Sequence, residues 1–223
     1  MNEKTKLWYL QNFNLFKKLN DSTMNQLSKK SKMQENKKRE IIYFPEEPSK
    51  TIYLLKEGMV KISRVSEDGR STILGLIGPG DIFGESAILG QSKRENFAEV
   101  VEDAVICTIN KEMFQELLTN NPELSLRITK FIGFRRREIE AHIEDIVFKD
   151  ARERVVAFLN RYIKNFGKKL LDGMIVRPFL THQEIAELTA TTRQTVNSIL
   201  NDLVREEKIK YTRRYLKIFS EIV

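Results

Sequence analysis

Apolar positions along this 223-residue chain change their period from region to region, and each change marks an element. From Arg39 to Ile109 they come in short alternating runs: Ile41-Ile-Tyr-Phe44, Ile52-Tyr-Leu-Leu55, Met59-Val-Lys-Ile-Ser63, Ser71-Thr-Ile-Leu74, Val100-Val101 and Val105-Ile106. Alternation broken by turn residues predicts an antiparallel β domain, with Asp68-Gly69 suited to a tight hairpin and Gly58, Gly78, Gly80 and Gly84 marking positive φ or close backbone approach. Ahead of it, Leu7, Trp8, Leu10, Phe13, Leu15, Phe16 and Leu19 form a short apolar stretch expected to pack on that domain. Residues 111–119 predict a brief helix, and Asn121-Pro122 opens a long one, because proline is tolerated at the first helical position. Along it Leu124, Ile128, Phe131, Ile132, Ile139, Ile143 and Ile146 recur at spacings of three, four and seven, the pattern of a seam that packs on a second copy of the chain, with one side of the stripe expected to cover the chain's own β domain. Arg135-Arg136-Arg137 keeps part of that helix exposed. A further helix over 150–166 follows, so the expected divisions are 1–120, 121–148 and 149–223.

The segment Thr181 to Leu203 is amphipathic at helical spacing twice, with a break between. Thr181-x-x-Glu184 is a capping-box pattern, followed by Ile185, Ala186 and Leu188 on one face. After Thr189-Ala190, either Thr191 or Thr192 can cap a second helix whose Val196, Ile199, Leu200 and Leu203 point one way. At about 100° per residue the opposite face carries Arg193, Gln194, Asn197, Ser198 and Asn201, all able to hydrogen-bond base edges. Lys208-Ile-Lys-Tyr and Tyr215-Leu-Lys-Ile-Phe219, two alternating runs around Arg213-Arg214, then predict a hairpin wing. Lys208, Lys210, Arg213, Arg214 and Lys217 on that wing are expected to meet phosphate.

Charge sharpens this reading. Residues 151–223 hold 14 Lys/Arg against 8 Asp/Glu, whereas residues 1–150 hold 24 against 23, so nearly all of the net +7 sits beside the helix pair. A localised basic patch raises affinity for a polyanion such as double-stranded DNA. Other classes fall away. No apolar run approaches the roughly 20 residues that span a bilayer, and the first residues lack a signal-peptide pattern, so a cytoplasmic location without membrane contact is expected. Cys107 stands alone in a strand-like run and His142 and His182 are far apart, so no metal site with ordinary spacing is expected, and an iron–sulfur cluster is excluded. An enzyme on a β-roll would need clustered histidines or paired carboxylates. The β segment has no histidine, and no catalytic residue is assigned.

Together, Gly58, Asp68-Gly69, the segment Gly78-Pro-Gly-Asp-Ile-Phe-Gly-Glu85, a long helix ending at Phe148-Lys-Asp150, Gln183-Glu-Ile-Ala-Glu and Thr192-Arg-Gln-Thr-Val196 resemble the Crp/Fnr family of bacterial transcription regulators. The resemblance covers residues 10–219. It implies an α+β architecture: an effector-sensing, cyclic-nucleotide-binding-like jelly roll, a dimerisation helix and a C-terminal winged helix-turn-helix. It also implies a homodimer reading a palindromic operator through the major groove, with RNA polymerase as a further partner. Thr192, Arg193, Gln194, Asn197 and Ser198 fall on the family's reading positions, with Arg193 where the family places an arginine that reads guanine. Gln194 replaces a glutamate and Ser198 an arginine of the cyclic-AMP-responsive type, and Ala190 replaces a frequent glycine, so a distinct operator is expected. A signalling module acting through protein contacts alone is the alternative, and the basic wing argues against it.

By the same resemblance the effector pocket comprises Gly84, Glu85, Ser86, Arg94, Glu95, Asn96, Ile139 and Glu140. Ungapped counting sets Glu95-Asn96 where cyclic-AMP-binding members have the Arg-Ser pair that holds the phosphate, and Ile139-Glu140 where they have the Thr-Ser pair that contacts adenine. A carboxylate there opposes a phosphate unless Arg94 swings in. The expected effector is therefore an unidentified small molecule other than cyclic AMP, and haem on His142 is disfavoured.

Overall fold

The computed structural model describes residues 6–11, 13, 16, 19–220 and 222. Two helices, α1 (Lys6–Gln11) and α2 (Asp21–Lys30), precede the strands β1 (Lys32–Asn36), β2 (Ile41–Tyr43), β3 (Thr51–Val65), β4 (Ser71–Ile77), β5 (Ile82–Phe83) and β6 (Phe97–Asn110). They form a sheet in the order β1-β6-β3-β4, with β2 on β6 and β5 on β3. β6 pairs antiparallel with β1, β2 and β3. This is the jelly-roll-like domain expected. Its core takes Leu54, Cys107, Ile109, Phe114 and, from the N-terminal stretch, Leu10, Phe13 and Phe16. Leu15 and the Trp8 side chain lie outside the described residues.

Two expectations about the strands change. The runs 52–55 and 59–63 are one strand, as are 100–101 and 105–106, because register shifts between Leu55 and Val60 absorb the interruption instead of ending the pairing. Gly58 makes this feasible: its φ is 86°, and a Cβ there would meet the Asp103 carbonyl oxygen at 2.3 Å. β1 carries no periodic signal to find it by, and α2 offers only the Asn20 cap and the buried Met24 and Leu27, three residues apart. β1 is an edge strand in which only Asn36 is buried, so backbone pairing with β6 defines it.

Helix α3 (Lys111–Asn120) leads into α4 (Pro122–Phe148). The stripe expected to form an intermolecular seam divides along α4. Leu124 and Ile128 are buried in the core of the β domain with Phe131 packed against it, which corrects their assignment to the seam. Their apolar area is covered from within the chain. Ile132, Ile139, Ile143 and Ile146 are exposed.

Beyond α4 come α5 (Ala151–Phe166), β7 (Lys168–Leu170), β8 (Gly173–Val176), α6 (His182–Leu188), α7 (Arg193–Arg205), β9 (Ile209–Tyr211) and β10 (Leu216–Ile218). The strands form a second sheet, β7-β8-β10-β9. The hairpin β7–β8 is absent from the sequence reading, although Asp172-Gly173, with Gly173 at φ 128°, is its turn signal. Two compact units result: Met1–Gly69 with Leu74–Arg135, and Arg70–Ile73 with Arg136–Val223. The division falls within α4, earlier than the junction near 147–150 read from the sequence. In the second unit Asp145, buried near the end of α4, is ion-paired with Arg161 of α5 at 2.5 Å and with Lys149 at 2.6 Å, which ties the last turns of α4 to α5.

Helix α5 starts on a complete capping box: the Asp150 carboxylate accepts from the Glu153 amide, and Glu153 accepts from the Asp150 amide, both at 2.9 Å. Asp150→Ala is expected to lower the stability of the second unit by about 1 kcal/mol and Asp150→Asn by much less, as measured by urea unfolding.

Candidate nucleic-acid interface

The helix pair is built as its caps dictate. Thr181 Oγ1 accepts from the Glu184 amide at 3.2 Å and Glu184 Oε2 accepts from the Thr181 amide at 2.9 Å, closing the box that starts α6. The turn that follows is tight: the amides of Thr189 and Thr191 both donate to the Ala186 carbonyl, and Ala190 sits at φ 49°, in the left-handed region. Of the two candidate threonines, Thr192 caps α7, its Oγ1 accepting from the Thr195 amide at 3.1 Å. Val196, Ile199, Leu200 and Leu203 are buried. Thr192, Arg193, Gln194, Asn197, Ser198 and Asn201 are exposed on the other side, as the periodicity requires.

The wing forms from β9 and β10 in antiparallel register, Leu216 opposite Tyr211 and Ile218 opposite Ile209. Its turn is held by the Thr212 amide on the Tyr215 carbonyl and by the Arg214 amide on Thr212 Oγ1. Lys210, Arg213 and Arg214 are exposed. Lys208 and Lys217 differ. They are half-buried, Lys208 paired with Glu206 at 3.1 Å and Lys217 with Asp172 at 2.5 Å, so each meets phosphate only by leaving a carboxylate. Those lysines hold the Glu206 and Asp172 carboxyls below their usual range.

Two residues of this face escaped the sequence reading. The Tyr211 ring lies 5.3 Å from Phe179 and 5.8 Å from His182, and its hydroxyl donates to Asn201 Oδ1 at 3.4 Å, joining the wing to both helices. Alternation in β9 puts Tyr211 on the same side as the buried Ile209 and Lys210 on the other, but which neighbours its ring meets is decided by packing between segments. His182 is kept below the usual imidazole range by burial and by Arg193 beside it.

In the β domain, Gly84 takes φ 76° ahead of a 3₁₀ turn over Glu85–Ala87. Behind the turn lies Arg94, 2% exposed, whose Nη1 donates to the Gly84 carbonyl at 2.9 Å and Nη2 to the Thr51 carbonyl at 2.5 Å. Its guanidinium stacks 4.6 Å from the Tyr43 ring. Ser86 Oγ is 3.5 Å from Ser49 Oγ, and Asn96 Oδ1 accepts from the Tyr43 hydroxyl at 3.2 Å. Glu95 is exposed, paired with Arg64 and accepting from Gln91 Nε2. The carboxylate expected to face the pocket is turned to solvent instead: in the bend before β6 the Gly84 and Thr51 carbonyls and the Tyr43 ring hold Arg94 inward, while Arg64 and Gln91 hold Glu95 at the surface. Ile139 and Glu140 belong to the second unit, Ile139 exposed and Glu140 paired with Arg136 at 2.7 Å.

Among the described residues no group of three or more His, Cys, Asp or Glu side chains could hold a metal ion. Cys107 is fully buried. His142 is half-buried on α4, its imidazole held below the usual range by burial and by Arg161. No helix among the described residues is long and apolar enough to cross a membrane.

A jelly-roll-like domain joined to a winged helix-turn-helix defines a class of DNA-binding transcription regulators. Residues 33–121 match the cyclic nucleotide-binding domain and residues 153–220 the Crp-like helix-turn-helix domain. The chain is 30% identical over 183 residues to the global nitrogen regulator of Nostoc sp., covering 81% of this chain and 82% of that one. It is 29% identical over 164 residues to the CRP-like cAMP-activated global transcriptional regulator of Mycobacterium tuberculosis, covering 74% and 73%. Among solved structures, a CooA variant from Carboxydothermus hydrogenoformans superposes with a TM-score of 0.71 at 29% identity, over 88% of this chain and 86% of that one. FixK2 of Bradyrhizobium japonicum shares the fold at 0.76 and 20% identity, over 86% and 93%. The chain belongs to the Crp/Fnr family and is a transcription regulator.

Proposed function

We propose that the regulator works as a homodimer that reads a palindromic operator in the major groove and responds to a small-molecule effector other than cyclic AMP. The observation that carries the reading is α7 itself, its apolar side buried and Arg193, Gln194, Asn197 and Ser198 exposed together beside the Lys210, Arg213 and Arg214 wing. Two-fold pairing is supported by the exposed Ile132, Ile139, Ile143 and Ile146 of α4, whose apolar area a second copy would cover. Two such reading heads then address half-sites about one helical turn apart. Against cyclic AMP stand two features of the roll: both terminal nitrogens of Arg94 are already committed to carbonyls, and Glu95 adds negative charge on the adjoining surface. RNA polymerase is the further partner that a regulator of this class addresses.

Selection of bound fragments from a random DNA pool, with and without cyclic AMP, tests this. A palindrome enriched equally in both arms is the expected result. Enrichment only with cyclic AMP removes the effector proposal, and no enrichment in either arm removes the proposal of operator reading without an added effector. Lys210→Ala is expected to weaken all duplexes alike and to lower the salt slope by about one counterion. A loss confined to the selected site would assign Lys210 a base contact instead.

A further inference from the structure

Each of the three guanidinium nitrogens of Arg154, on the first turn of α5, donates to a backbone carbonyl, and the carbonyls come from two separate places in the chain. Nε donates to Thr189 at 2.8 Å, Nη2 to Ala190 at 3.1 Å and Nη1 to Lys149 at 2.7 Å. Thr189 and Ala190 form the turn between the two DNA-binding helices, and Lys149 follows the last residue of α4. The turn is the strained point of the unit. Ala190 holds φ 49°, a conformation that crowds the Cβ of any residue except glycine. Thr189 before it is buried, with Oγ1 turned back to the Ile185 carbonyl at 2.7 Å, so the turn has little room to relax in that direction.

We propose that Arg154 is a positioning residue for the reading head: it holds Ala190 left-handed by its carbonyl and thereby sets the angle at which α7 leaves the turn. Arginine suits the task because its planar fork presents several donors in a fixed geometry and never loses its charge, whereas lysine supplies a single ammonium. By binding Lys149 as well, the same fork ties the turn to the end of α4, so a change at that joint reaches the reading head through one side chain. For operator affinity this rests on the DNA reading proposed above. The geometry of the turn is independent of it.

The test uses the full chain as wild type, Arg154→Met, Arg154→Lys, Ala190→Gly and the double variant Arg154→Met with Ala190→Gly. Two readouts are taken: amide hydrogen exchange at Thr191 and Arg193 without DNA, and affinity for the wild-type chain's selected duplex relative to a random one. Arg154→Met is expected to speed exchange at the turn and lower the affinity ratio by about tenfold, with Arg154→Lys intermediate. Glycine needs no holding in the left-handed region, so the double variant is expected to recover most of both losses. That recovery separates positioning from a general contribution to stability, which Ala190→Gly does not restore. Strictly additive losses in the double variant, or unchanged exchange at Thr191 in Arg154→Met, would overturn the assignment. If Arg154→Met fails to fold, Arg154→Lys with and without Ala190→Gly decides by the same criterion. Faster exchange with glycine rescue, in a chain that selects no operator, would uphold the turn geometry and refute operator reading.

Discussion

Lys56→Met is expected to raise the stability of the first unit at pH 7 by about 1–3 kcal/mol, an unusual direction for a substitution in a core. Lys56 lies on β3, 8% exposed, and its ammonium has no hydrogen-bond partner among the described residues. What it has is the Phe13 ring, with Nζ 3.7 Å from the centroid, and more distantly the Phe16 ring at 5.9 Å. Burial pushes the group from 10.5 down to about 8. The native state therefore favours the neutral amine, and the unfolded chain binds the extra proton. Stability linked to Lys56 is fully present above pH 10.5, declines as pH falls toward 8, and is fully lost below 8. A drop of 2.5 pKa values corresponds to about 3 kcal/mol, from which the cation–π contact with Phe13 returns roughly 0.5–2 kcal/mol. Methionine keeps the length and removes the charge. Urea unfolding at pH 7 and pH 9.5 checks both parts: wild type should gain stability at the higher pH relative to Lys56→Met. A parallel response of the two proteins would mean that the amine is hydrated in solution.

Arg193→Ala should cost about 1–3 kcal/mol on the selected operator and relax the preference at one base pair in each half-site. Arg193 is the first residue of α7, directly after the Thr192 cap, and its side chain is exposed at the N-terminal end of that helix. A guanidinium is matched to the O6 and N7 acceptors of guanine, so its loss removes a bidentate contact at one position. Operator and random duplexes titrated at fixed salt separate this from a phosphate contact. An equal loss on both would make Arg193 a backbone contact. Read beside Lys210→Ala, the pair distinguishes recognition from attraction on the same surface.

Most of the reading head was legible because its signals are local. Caps at Thr181 and Thr192 act within three residues, and the buried Val196, Ile199, Leu200 and Leu203 follow from helical periodicity alone. Where the reading failed, the missing information was long-range. Glu95 and Arg94 are neighbours in the chain, and counting residues does not tell which of them is buried, because the carbonyls that hold Arg94 belong to Gly84 and Thr51, 10 and 43 residues away. Leu124 and Ile128 belong to the same stripe as Ile139 and Ile143, and no spacing rule reveals that the β domain covers the first pair and leaves the second exposed. In the sequence Arg154 is one of several charges on an amphipathic helix. Its three carbonyl partners lie as far as 36 residues away, and only the packed unit brings them to one guanidinium.

By itself the sequence determined the order of the β domain, long helix and winged helix-turn-helix, the class of most of their elements and the uneven charge, since periodicity, capping and composition are properties of short stretches. Tertiary structure alone decided which carbonyls Arg154 holds, which wing lysines are paired with carboxylates, and that a lysine lies among phenylalanines. Those outcomes depend on how desolvation and hydrogen-bond geometry are satisfied between segments distant in the chain, and no local pattern encodes that.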